Sequence, residues 1–114
     1  MKISEICLLI EGTVVIGESR MDDEVEYAFA SDLMSDVLTV KIQNFILLTG
    51  LCNVQAVRTA EMSDVPYMII CRNKQVTPDM LEVAEESNIV IICTRFSMFK
   101  CAGILYSNGL KPVY

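Results

Sequence analysis

The chain has 114 residues, a formal net charge of −6 and a hydrophobic content of 53%. This length suits one domain with a real core, and the apolar excess indicates either a sheet covered on both faces or a surface used for association. The acidic balance leaves no basic footprint for nucleic acid, and the absence of histidine excludes Ser-His-Asp and Cys-His catalytic arrangements within one chain.

No segment has the features of a membrane span or a secretory signal. No apolar run approaches the ~20 residues that a membrane helix needs. The opening MKISEICLLIEG has one lysine and carries a glutamate inside its apolar part, unlike a signal peptide. The sequence therefore predicts a cytoplasmic protein without membrane contact.

The first third of the chain predicts one helix, two strands and an acidic loop. Residues 4–10 place apolar side chains on one helical face, with Ser4 as the cap and Gly12 as the stop. TVVIG is typical of a short strand, and VEYAFA (25–30) alternates large apolar side chains with smaller or charged ones. Between them, the acids of residues 18–26 predict a solvated loop, because their spacing is not that of a calcium-binding EF-hand loop.

Residues 31–40 predict a short helix capped by Ser31 or Asp32, and three strand–helix units follow. The strands are the apolar runs FILLT (45–49), YMIIC (67–71) and IVIIC (89–93). The helices begin near Asn53, at Thr77-Pro78-Asp79 and before Met98, and the last helix stops at Asn108-Gly109.

Apolar runs rich in β-branched residues that alternate with helices are typical of a parallel sheet covered on both faces. Right-handed crossovers place helices on each face of such a sheet. The sequence therefore predicts a single α/β domain over residues 1–114, with three α/β/α layers around a central, mostly parallel sheet of about five strands.

Ligands of open α/β sheets bind beyond the carboxyl ends of the strands, which makes the polar residues there the candidate ligand-binding residues. These residues are Ser31, Asp32, Thr49, Gly50, Asn53, Arg72, Thr94 and Arg95.

The stretch FILLTGLCN has the strand, glycine and helix order of a phosphate-binding loop, but it lacks the second glycine and the lysine of a P-loop. One interpretation is that Gly50 makes the turn and Asn53 caps the following helix. The other is weak anion binding at that helix N-terminus, with Arg58, Arg72 or Arg95 nearby.

No catalytic, metal or cofactor site is predicted. The five cysteines have no paired spacing, which argues against a disulfide framework or a zinc site and favours buried thiols. Cys52 is the exception, because a helix N-terminus lowers the pKa of a thiol. Asp32 and Asp36 have no visible partner that would make them an acid/base pair, and one of them is expected to cap the helix.

Three stretches of the chain resemble the DRTGG domain family. They are ASDLMSDVL (30–38), LLTGLCNVQAVRTAEMSDVP (47–66) and TRFSMFKCAGILY (94–106), and the opening MKISEI extends the similarity over nearly the whole chain. The five-letter motif that names the family is not present in that form, so the chain resembles a stand-alone branch.

The resemblance implies the α/β architecture of the N-terminal domain of HPr kinase/phosphorylase, whose kinase chemistry belongs to a separate P-loop domain. Members of the family also occur fused to phosphotransacetylases, or beside CBS modules in regulatory pyrophosphatases. There the resemblance implies an accessory, dimerising role.

Two hypotheses about function follow. The first is a non-catalytic regulatory or interaction domain that works as a homodimer or with a protein partner; Met34, Phe96, Met98 and Phe99 suit either an interface or the core. The second is a small-molecule sensor that binds a nucleotide or another anion at the strand ends. An enzyme is the weakest alternative, because Ser, Asp or Cys52 would have to act without a histidine base.

Overall fold

The computed structural model describes all residues from 1 to 114 as a six-stranded sheet flanked by helices. The helices are α1 (Ile3–Leu9), α2 (Met34–Val37), α3 (Val54–Met62), α4 (Pro78–Glu86) and α5 (Met98–Ser107). The strands are β1 (Thr13–Ile16), β2 (Tyr27–Ala30), β3 (Phe45–Thr49), β4 (Tyr67–Ile70), β5 (Val90–Cys93) and β6 (Lys111–Pro112), and one turn of 3₁₀ helix covers Glu18–Arg20. None of the five α-helices is long and apolar enough to cross a membrane.

The sheet has the strand order β1-β5-β4-β3-β2-β6. Strand β1 runs antiparallel to β5, and every other neighbouring pair is parallel. Ala30 pairs with Leu48, and Thr49 with Ile70, so β2, β3 and β4 end at the same edge of the sheet. This arrangement confirms the predicted, mostly parallel sheet, with one strand beyond the five expected.

Side chains of the central strands alternate between two hydrophobic cores. In β3, Ile46 and Leu48 face the core under α1 and α5, whereas Phe45 and Leu47 face the core under α2, α3 and α4. All five residues of β3 are buried, since helices cover both faces of the sheet. The continuous apolar run that predicted this strand is the result of burial on both sides.

Two helices begin at the capping residues that the sequence predicts. The Asn53 side chain accepts a hydrogen bond from the Ala56 N–H at 2.9 Å, and the Thr77 side chain accepts one from the Met80 N–H at 3.3 Å, directly before Pro78. Ser97 caps α5 in the same way, and Gly109 follows its end with a φ of 103°. Each side chain satisfies one backbone donor that the first turn leaves free.

The predicted ends of α1 are wrong. Lys2 and not Ser4 is the N-cap residue, and the Glu5 carboxylate accepts a hydrogen bond from the Lys2 backbone N–H at 3.2 Å. Glu11, with a φ of 51°, takes the left-handed position expected of Gly12. Gly12 is needed for another reason, because a Cβ there would lie 2.7 Å from Cγ2 of Ile92.

The predicted cap of α2 is also wrong. Leu33 is the N-cap residue, and no side chain caps the helix. The Ser31 hydroxyl accepts a hydrogen bond from the Leu33 N–H at 3.0 Å, which forms a local turn before the helix. The Asp32 side chain instead forms hydrogen bonds with residues at the end of β3, and Asp36 lies inside the first turn of α2.

The short edge strand β6 was not predicted, because Lys111-Pro112 has no strand pattern of its own. It forms through contacts with β2: the Lys111 N–H donates to the carbonyl of Glu26 at 2.9 Å, and the Val113 N–H donates to that of Ala28 at 3.1 Å. The ammonium of Lys111 also lies 2.8 Å from the Glu26 carboxylate.

The acidic loop, predicted to be solvated, is held in place by side-chain contacts. Arg20 bonds Asp23 at 2.8 Å, and the Tyr67 hydroxyl donates to the same carboxylate at 3.0 Å. The Arg20 guanidinium holds the pKa of Asp23 below its ordinary value. The loop is thereby attached to the amino end of β4, while Asp22 and Glu24 stay exposed.

Candidate functional site

The carboxyl edge of the sheet contains a hollow of about 380 Å³, called here the Lys74 hollow. Its lining residues are Asp32, Gly50, Leu51, Cys71, Arg72, Lys74 and Met98. They follow β2, β3 and β4 or begin α5, so the parallel strands bring together residues that are far apart in the sequence. Three of the eight predicted ligand-binding residues meet here: Asp32, Gly50 and Arg72.

Asp32 stabilises the turn at the end of β3 through two hydrogen bonds. Its Oδ1 accepts hydrogen bonds from the Thr49 hydroxyl at 2.9 Å and from the Gly50 N–H at 2.6 Å. The Thr49 hydroxyl accepts in turn from the Leu51 N–H at 3.1 Å. Thr49 is buried, so its polar group is used to shape the turn. Asp32 Oδ2 makes no hydrogen bond within the chain and lies beside Gly50.

Lys74 is the residue of this site that sequence reasoning missed. Its ammonium donates a hydrogen bond to the Gly50 carbonyl at 2.7 Å, which links the loop after β4 to the turn after β3. The strand-end rule selected only the residue directly after the strand, Arg72, and Lys74 stands two residues further on. Scanning the whole loop between β4 and α4 for basic residues would have found it.

The backbone at Arg72 and Asn73 directs Lys74 into the hollow. Both residues have left-handed conformations, with φ values of 69° and 56°. This conformation costs about 1–2 kcal/mol for Arg72 and less for Asn73, because asparagine adopts it more readily. Two hydrogen bonds hold the turn: the Arg72 N–H donates to the Phe96 carbonyl at 2.8 Å, and the Asn73 N–H donates to that of Thr94 at 2.9 Å. The loop after β4 is therefore tied to the segment that leads into α5.

Thr94 and Arg95 lie at a separate, smaller hollow of about 230 Å³, which also includes Lys74. The Thr94 hydroxyl is buried and donates to the Ile10 carbonyl at 2.7 Å. Arg95 forms an ion pair with Glu11 at 2.7 Å and holds the pKa of that carboxyl below its ordinary value. Both side chains already have partners within the chain.

The other predicted residues lie outside the two hollows. Ser31 shapes the turn before α2, and Asn53 caps α3. Arg58 lines a surface hollow between α3 and α4 together with the acids Asp79, Glu82 and Glu86. A ligand-binding role for Ser31 and Asn53 stays a prediction.

The chemistry of the carboxyl edge suits binding. Arg72 and Lys74 supply positive charge and hydrogen-bond donors, and Asp32 supplies one free carboxylate oxygen. No group of three or more Cys, Asp or Glu side chains is placed so that it could hold a metal ion.

Cys52 does not have the lowered pKa expected at the start of a helix. Its thiol contacts the Gln75 carbonyl at 3.2 Å and the Met80 sulfur at 3.8 Å. Burial raises the pKa of the Cys52 thiol, and the charge of Lys74 offsets this only in part. Burial also raises the pKa of Cys93, to about 11.

Both thiols are therefore expected to react slowly with iodoacetamide near neutral pH, because only the thiolate is nucleophilic. A thiol of pKa about 11 holds roughly 200-fold less thiolate at pH 8 than an ordinary cysteine of pKa about 8.5. Mass spectrometry of the alkylated chain across pH 7–10 measures the rates, and the urea-unfolded chain gives the reference. Faster alkylation of Cys52 in the folded chain than in the unfolded chain at pH 7 would contradict the raised pKa.

A second surface lies along α5 and is apolar. A groove of about 310 Å³ runs between α5, β2 and β6, and ten of its eleven lining residues are hydrophobic. Its walls include Phe29, Tyr106 and Tyr114. Tyr106 is 69% exposed, Tyr114 is 80% exposed, and Phe99, on the first turn of α5, is 90% exposed.

No protein-family model matches the sequence, and no curated protein matches it either. Among solved structures, the chain is similar to the CBS and DRTGG domains of the regulatory region of a Clostridium perfringens pyrophosphatase, crystallised with the activator diadenosine tetraphosphate. The TM-score is 0.75 at 17% sequence identity. The match covers 98% of this chain and 48% of that chain, so this chain spans about half the length of the protein it matches. At this identity the similarity shows the fold, and it confirms the predicted DRTGG-like architecture.

Proposed function

We propose that this chain, residues 1–114, is a single DRTGG-like, non-catalytic regulatory domain that acts as a homodimer. The observation that carries the proposal is the exposed apolar surface of α5. Phe99, Ala102, Gly103 and Tyr106 follow the i, i+3, i+4, i+7 spacing, so they share one face of the helix. Together with Tyr114 and the adjoining groove, they are called here the α5 surface.

The exposed aromatic side chains of this surface supply more than half of the area that a dimer contact needs. An aromatic side chain buries about 150–250 Å² when it is covered. At their exposed fractions, Phe99, Tyr106 and Tyr114 together offer on the order of 450 Å², more than half of the roughly 800 Å² that each partner contributes to a stable interface. The groove walls supply further apolar area beside them.

The charges favour a second copy of this chain on that surface. The chain has 15 acidic residues, but none lies in residues 94–114, whereas α1, α2, α3 and α4 each carry at least one. The only charged residue of α5 is Lys100, whose ammonium lies 3.9 Å from the centre of the Phe96 ring. Residues 94–114 therefore contribute no acidic side chain to a contact between two α5 surfaces, although each copy carries a net charge of −6.

Sedimentation equilibrium of the chain at tens of micromolar tests the proposal. The expected result is twice the mass of one chain, with a monomer fraction that grows on dilution. A single-chain mass at every concentration would contradict self-association.

A second candidate function, a sensor of a nucleotide or other anion, is favoured by the Lys74 hollow. The proposed ligand-binding residues are Ser31, Asp32, Thr49, Gly50, Asn53, Arg72, Thr94 and Arg95, of which Asp32, Gly50 and Arg72 line the hollow. The similar pyrophosphatase region binds a nucleotide activator, which supports a regulatory role of this kind.

A further inference from the structure

The Lys74 hollow contains two cations, Arg72 and Lys74, that form no ion pair with a carboxylate of the chain. The four ion pairs of the chain use Lys2, Arg20, Arg95 and Lys111. Lys74 is bound only to the neutral carbonyl of Gly50, and the Arg72 side chain is exposed without a hydrogen bond. An ammonium has three donors, so Lys74 keeps two for a ligand. Against the single carboxylate of Asp32, these two cations leave a local excess of positive charge in a chain of net charge −6.

The other lining residues suit polar and apolar groups of a ligand in addition to its anionic group. Asp32 Oδ2 is an acceptor without a partner and faces a hollow that the two cations share, so it suits a ligand hydroxyl or amino group. Leu51 and Met98 provide apolar walls, and methionine packs well against flat aromatic rings. The volume of about 380 Å³ falls in the range of small-molecule sites.

From these three kinds of contact we infer that the Lys74 hollow binds a nucleoside phosphate. Lys74 and Arg72 hold the phosphate, the Asp32 carboxylate accepts from the sugar or the base, and Met98 and Leu51 cover the base. The inference deepens the sensor function proposed above and rests on it. It also assigns Lys74 and Met98, which lie outside the eight residues proposed from the strand ends.

Isothermal titration calorimetry with AMP, inorganic phosphate and adenosine as separate probes tests the inference. AMP is expected to bind more tightly than either of the other two, because each of them makes only part of the contacts. Lys74→Met is expected to weaken AMP binding by about tenfold or more, since it removes a charge-assisted hydrogen bond. Lys74→Arg keeps the charge and is expected to retain most of the affinity.

Lys41→Met is the matched control, because it removes the same charge from the exposed segment before β3. Thermal unfolding of each variant shows that the fold is intact. Equal AMP affinity in the wild type and Lys74→Met would overturn the inference, as would AMP binding no tighter than phosphate or no binding at all. If Arg95→Gln abolishes AMP binding while Lys74→Met does not, the nucleotide binds at the hollow that Thr94 and Arg95 line. The sensor function is then kept, and the inference about the Lys74 hollow fails. The dimer proposal is tested independently by the mass of the ligand-free chain.

Discussion

Replacing Phe99 by serine is expected to weaken the dimer by about 100-fold or more, which corresponds to at least about 2.7 kcal/mol. Phe99 is the most exposed large apolar side chain of the domain, and a symmetric dimer would lose two such rings. Aromatic residues at the centre of an interface contribute most of its binding energy, because they exclude water over a large area. Sedimentation equilibrium over a dilution series measures the dissociation constant of the variant against the wild type.

Met62→Ser is the matched control for this experiment. Met62 is also an exposed apolar side chain, 68% accessible, but it lies at the end of α3 on the opposite face of the sheet. The dissociation constant of this variant is expected to equal that of the wild type. Neither substitution should change the free energy of unfolding of the monomer by more than about 0.5 kcal/mol, because both positions are on the surface. A Phe99→Ser chain that dimerises as tightly as the wild type would place the interface elsewhere.

Gly17→Ala is expected to lower the free energy of unfolding by about 2–5 kcal/mol, the sum of a left-handed backbone cost and a steric clash. Gly17 has a φ of 99°, a conformation that side chains rarely allow. An added Cβ would also lie 2.7 Å from Cγ2 and 3.1 Å from Cα of Val90, at the start of a buried strand. Urea unfolding at a fixed chain concentration measures the loss.

Gly109→Ala separates the two contributions to that loss. Gly109 has nearly the same φ angle, 103°, but no atom lies within 4 Å of its added Cβ. This variant is expected to lose only the backbone cost, about 1–2 kcal/mol. If both variants lose the same free energy, the contact with Val90 does not constrain Gly17.

The apolar strands and the caps of α3 and α4 were predictable because their causes are local or periodic. The run FILLT is apolar at every position because both faces of β3 are buried. Asn53 and Thr77 cap helices through hydrogen bonds to residues three positions later, so the cap and its partner lie in one short stretch.

The predictions for Asp32 and Cys52 were wrong because each side chain contacts residues that are distant in the sequence. Those contacts compete with the local role that the sequence predicts. Asp32 is a good capping residue by its type, but its carboxylate bonds Thr49 and Gly50, which are 17 and 18 residues away. Cys52 stands before a helix, yet burial beside Gln75 and Met80 raises the pKa of its thiol. In both cases contacts that only the folded chain makes outweigh a weak local preference.

The sequence by itself determined the layered α/β architecture, the main strands and the edge of the sheet where polar residues gather. These features follow from hydrophobic periodicity and from the common direction of parallel strands. Only the tertiary structure decided which of those polar residues share a hollow and that Lys74 belongs with them. It also decided that Tyr106 and Tyr114 line one groove and that Phe99 is exposed on the same helix as Tyr106. The reason is physical: side-chain direction and partner choice depend on loop conformations, such as the left-handed turn at Arg72 and Asn73, which contacts between distant segments stabilise.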